Sequence, residues 1–77
     1  MSHGIFQITG YHARGMQVYD VLIYNDGNQN SAPSEQYSGL SQNDVMKQAR
    51  TCRGYRPIFI SVRNGVQDDV KKRLRLV

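Results

Sequence analysis

The apolar residues of this chain come in short runs at strand spacing, broken by glycine, asparagine and aspartate. One segment alone, residues 42–53, combines helix spacing with a start signal and a stop signal. A chain so patterned has one amphipathic helix to lay across a sheet, which makes α+β the expected class.

The strand readings follow from period-two alternation. Within Ile5-Phe6-Gln7-Ile8-Thr9, bounded by Gly4 and Gly10, Phe6 and Ile8 share a face. Residues 16–24 form the strongest strand. Met16, Val18 and Asp20 share one face while Val21 and Ile23 take the other, so either a bulge near Asp20 resets the phase or both faces are buried. The short link through Gly15 makes an antiparallel hairpin the default. Asn25-Asp26-Gly27 stops the strand, and residues 28–39 are polar, with room for a short edge strand around Gln36-Tyr37.

Ser41 and Asp44 have the spacing of a helix N-cap and its box partner, and Leu40 and Val45 that of a hydrophobic staple. Val45, Ala49 and Cys52 recur at i, i+4, i+7, with Met46 widening the stripe. Arg50 and Arg53 suit the negative dipole end, and Gly54 is the expected residue just past it. Residues 57–63 then read as a strand with Ile58, Ile60 and Val62 on one face and Phe59, Ser61 and Arg63 on the other. Asn64-Gly65 is hairpin chemistry. After it, Val70, Leu74 and Val77 have helix spacing with Asp68 as cap, whereas residues 73–77 alternate like a strand. The turn dipeptide favours a returning strand over residues 73–76. The expected architecture is a three- to five-stranded antiparallel sheet with one helix on one face.

Seventy-seven residues suffice for one domain, 1–77, and bury only roughly 60–65% of the surface exposed on unfolding. Cys52 is the single cysteine, so no internal disulfide can staple that core, and one Cys with two unspaced His is a poor zinc set. Cys52 itself reads as a small hydrophobe in the helix stripe. A partner subunit often stabilises such small domains, which keeps a homodimer open. No run approaches the ~18 apolar residues of a membrane span and the N-terminus lacks a leader pattern, so the expected location is a host cytosol, with no membrane partner.

Charge is distributed unevenly. Residues 51–77 hold seven basic side chains against two acidic ones, and residues 1–50 hold three against four. Such a cationic end suits phosphate backbones or acidic protein surfaces. Catalysis is not expected, and no cofactor is implied. His3 and His12 have no acid–base partner in sequence, Asp68-Asp69 is a doublet whose side chains diverge, and no nucleotide-loop or metalloprotease pattern occurs. The densest basic–aromatic patch is Arg53-Gly54-Tyr55-Arg56. With Lys47 and Arg50 on the helix, and Lys71, Lys72, Arg73 and Arg75 in the tail, it supplies the candidate partner-binding residues. Tyr37 is a further aromatic contact candidate.

The order strand–strand–loop–helix–strand–strand carries Tyr19-Asp20-Val21 before Asn25-Asp26-Gly27. It then places Gly54-Tyr55-Arg56-Pro57-Ile58-Phe59-Ile60 after an alanine-containing helix and Lys72-Arg73-Leu74-Arg75-Leu76 at the end. This layout, over most of the chain, resembles the small type I anti-CRISPR proteins of phages. The resemblance implies a non-catalytic inhibitor that binds a CRISPR surveillance complex and blocks its guide-loaded backbone or its target DNA. A net charge of +4 argues against the acidic DNA-mimic mode found among such inhibitors. The binding residues above come from charge and exposure alone. A small basic nucleic-acid-binding module is the alternative, resting on charge.

Overall fold

The computed structural model describes residues 3–55 and 57–76. Four strands, β1 (Gly4–Ala13), β2 (Met16–Tyr24), β3 (Glu35–Leu40) and β4 (Ile58–Val62), form one mixed sheet in the order β3-β2-β1-β4. Helices α1 (Gln42–Tyr55) and α2 (Asp68–Leu76) contribute to one core on a single face of that sheet. The α+β class stands. The sheet is not purely antiparallel, and there are two helices among the described residues rather than one.

The β1–β2 hairpin keeps an unbroken register from Ile5↔Tyr24 to Ala13↔Met16. Phe6, Ile8, Tyr19, Val21 and Ile23 therefore face the helices and are all buried. Val18 and Tyr24, on the other face of β2, are buried too. Both alternatives for Asp20 are thus partly met: β2 is covered on two sides, and the irregularity opposite Asp20 lies in β3. There Val21 pairs Tyr37 and Tyr19 pairs Leu40, so three steps along β3 match two along β2. Gly39 absorbs the extra residue at φ 68°, and its N–H donates to Asp20 Oδ1 at 3.2 Å.

The loop between β2 and β3 is internally tied. Asn28 N donates to Asp26 Oδ1 at 2.9 Å, Asn30 N to Asn28 Oδ1 at 3.0 Å, and Ser34 N closes the base onto Ile23 O at 2.7 Å. Gln29 Nε2 lies 3.5 Å from Gln7 Oε1, which folds this loop over the face of the sheet away from the helices.

Helix α1 starts as its sequence dictates, with Ser41 Oγ accepting from Asp44 N at 3.3 Å. It continues through Gly54, which is not in a left-handed conformation, to Tyr55. Gly54 is therefore the penultimate residue of the helix and not a left-handed terminator. The chain has meanwhile crossed from β3 at one edge to β4 at the other, where β4 pairs parallel with β1 from Gly4↔Ile58 to Ile8↔Val62. A helix long enough to cross the sheet permits a parallel return, which hairpin logic does not foresee.

Asn64-Gly65 does turn, with Gly65 at φ 81°, but no strand follows it. Gly10 N donates to Asn64 O at 3.1 Å and Gln17 Nε2 to Gly65 O at 3.0 Å, so the turn docks on the hairpin. Val66 enters the core and α2 begins, with Lys71 N donating to Gln67 O at 3.1 Å. Val70 and Leu74 are almost fully buried, so the helix spacing of the tail, and not its strand-like alternation, determines its structure. The expected strand over residues 73–76 is overturned; Val77 lies outside the described residues. Among the described residues no helix is long and apolar enough to cross a membrane.

Candidate partner-binding surface

The two helices share one layer, and that layer carries the charge. Lys47, Arg50, Arg53, Lys71, Lys72, Arg73 and Arg75 lie in α1 and α2 against Asp44, Asp68 and Asp69, a surplus of four cations equal to the net charge of the chain. Among the described residues the remaining charges are Arg14 and Arg63 against Asp20, Asp26 and Glu35, two cations against three anions. The molecule is therefore polarised by layer, a sharper arrangement than the tail-heavy distribution along the sequence.

The amphipathic period sets where each cation points. Val45, Met46 and Ala49 turn α1 inward, leaving Lys47 and Arg50 exposed and Arg53 half-buried on the flank. Thr51 Oγ1 donates back to Lys47 O at 2.9 Å. Val70 and Leu74 do the same for α2, leaving Lys72 and Arg73 exposed and Lys71 half-buried. Tyr55 ends α1 and Arg75 belongs to the last turn of α2, while Arg56 lies outside the described residues. Lys71 Nζ stands 3.9 Å from Asp68 Oδ1, an i,i+3 pair whose aspartate is 92% exposed and which therefore contributes little.

Two of the basic residues converge. Arg53 from α1 and Lys71 from α2 line one groove of about 530 Å³, together with Ile58, Phe59, Ile60, Val62 and Leu74. Sequence reasoning named the two cations and missed the apolar wall. The available signal was Phe59, which alternation places on the face opposite Ile58 and Ile60; it is 63% exposed, with the His3 ring 4.8 Å from its own.

Tyr37 is engaged within the fold. It packs on the core half-buried, and its hydroxyl donates to Glu35 Oε1 at 2.8 Å, a bond that together with burial raises its pKa. The Tyr11 phenol is raised chiefly by its hydrogen bond to Asp20, and Tyr19 by burial and then by the nearby Asp69 carboxylate. Cys52 is half-buried against the core. No family model, curated protein or solved structure matches the chain.

Proposed function

We propose that this chain is a non-enzymatic binding protein, and specifically a phage or mobile-element inhibitor that binds a type I CRISPR surveillance complex stoichiometrically and blocks target DNA recognition. The observation that carries the binding reading is the gathering of a cationic surplus in the two helices, beside a groove lined by five apolar residues and by Arg53 and Lys71. Cations beside exposed apolar residues suit a protein interface: the charges steer association and the apolar contacts supply affinity. The inhibitor reading adds the resemblance in sequence layout, of which β1, β2, α1 and β4 are present in that order while the expected last strand is instead the helix α2.

A direct test titrates the purified protein into a type I surveillance complex and follows binding of its target DNA. Inhibition complete near one or a few copies per complex, and lost on charge reversal at Arg50, Lys72 and Arg73, is the expected outcome. Unimpaired DNA binding at large excess across type I complexes would remove the inhibitor reading. Inhibition that disappears when excess unrelated competitor DNA is added would favour the nucleic-acid module.

A further inference from the structure

Strand β4 has an open edge. Gly4 N donates to Pro57 O at 3.2 Å and Arg63 N to Ile8 O at 2.9 Å, which fixes the phase of the parallel ladder. Residues 57, 59, 61 and 63 direct their backbone groups to β1. The N–H and C=O groups of Ile58, Ile60 and Val62 therefore point away from the sheet.

Exposed edges are ordinarily blunted by charge, proline or a bulge. At the other edge of this sheet, β3 has the Gly39 bulge and Glu35. Strand β4 reads Ile-Phe-Ile-Ser-Val, with proline and charge only at its two ends, at Pro57 and Arg63. The groove beside it is lined by Ile58, Ile60 and Val62, which face the helices, and also by Phe59, which faces the opposite way. Consecutive residues of β4, from both faces of the strand, thus line one groove together with Arg53 of α1 and Lys71 of α2.

We propose that the open edge of β4 takes an extended, acidic segment of a partner protein as a fifth strand, with Arg53 and Lys71 holding its carboxylates. The inference rests on the reading of this chain as a protein binder and names the chemistry of what is bound. Backbone pairing supplies affinity in such strand addition, and side-chain pockets supply selectivity. Arg53 has no carboxylate within ion-pair distance among the described residues. A second copy of this chain fits less well, because its β4 offers no carboxylate and would bring another Arg53 and Lys71 to the same place.

Amide exchange followed by NMR reads the pairing residue by residue. The probes are two capped heptapeptides at millimolar concentration, one alternating Val and Glu, the other Val and Lys. In the free protein, Phe59, Ser61 and Arg63 should be protected by β1, and Ile58, Ile60 and Val62 should exchange faster. The Val–Glu peptide should slow those three amides by about tenfold or more, and the Val–Lys peptide should not. Val62→Pro removes an outward donor without touching the β1 ladder. It should abolish the slowing while Phe59 and Ser61 stay protected, which shows that the variant is folded. Arg53→Gln with Lys71→Gln should weaken Val–Glu binding at least fivefold, as expected for desolvated charge pairs.

No slowing by the Val–Glu peptide, or equal slowing by both peptides, overturns the proposal. Slowing that rises with protein concentration alone assigns the edge to a second copy and equally overturns it. A protein that inhibits a surveillance complex while these amides still exchange freely in the complex loses the strand-addition proposal alone. One that takes the peptide but no surveillance complex loses only the proposed target.

Discussion

Gly10 and Gly65 meet backbone to backbone: a Cβ on either would overlap the carbonyl oxygen of the other. This contact, with the hydrogen bonds from Gly10 N to Asn64 O and from Gln17 Nε2 to Gly65 O, anchors the turn after β4 onto the β1–β2 hairpin. From there Val66 drops into the core and α2 lies in the same layer as α1. The cationic layer therefore depends on two residues that carry no charge and no side chain.

Replacing Gly10 by Ala should destabilise the fold by about 1–3 kcal/mol, the usual cost of overpacking. Gly65→Ala should cost more, since its φ of 81° adds a left-handed penalty of about 1–2 kcal/mol. Gly15→Ala, at φ 78° with nothing within 4 Å of the new methyl, should show the conformational penalty alone. Urea denaturation of the three variants checks the order, and equal losses at Gly15 and Gly65 would deny the close contact.

Gly54→Ala should act in the opposite direction. Gly54 is inside α1 with open space where a Cβ would go, so alanine should stabilise by about 0.5–1 kcal/mol. A loss of stability in thermal melts would restore Gly54 as a left-handed helix terminator.

Alkaline pH should weaken the fold through its tyrosines. Tyr11, Tyr19 and Tyr37 hold their protons beyond the ordinary value of 10.0 in the folded chain, whereas the unfolded chain releases them there. The stabilisation is fully present below that pH and is lost as pH rises through the folded values. Denaturation curves between about pH 8 and 11 should show this fall. Tyr19→Phe keeps the ring and should lessen the slope; an unchanged slope would contradict burial of Tyr19 as a source of the effect.

Helix α2 can be tested through Leu74, the largest apolar side chain that it buries. Leu74→Ala should cost about 2–5 kcal/mol as a cavity substitution. A solvent-facing strand at the same place would lose well under 1 kcal/mol, within the range of ordinary surface changes.

The parts of this fold that were legible in the sequence are those set by local chemistry. Residues 16–24 alternate, Ser41 caps, and Asn25-Asp26-Gly27 ends a strand, each within a few residues of its cause. Parallel pairing of β4 depends on where α1 delivers the chain, a relation between residues 4 and 58 that no short window contains. Asn64-Gly65 misled because its preference for a hairpin is real, yet the docking of Gly65 on Gly10 and the burial of Val70 and Leu74 outweigh it. The basic residues of the site were visible as charge. That Arg53 and Lys71 would share a groove was not, because it required α2 to be a helix.

The most direct test of the central claim, a protein partner for the cationic layer, is the affinity of the purified chain for bare duplex DNA across a salt series. Binding should be no tighter than the roughly 10⁻⁴ to 10⁻⁶ M of non-specific contact at physiological salt. Nanomolar binding whose logarithm falls with log salt by about −0.9 per phosphate contact, and which charge reversal at Lys71, Lys72, Arg73 and Arg75 abolishes, would contradict it.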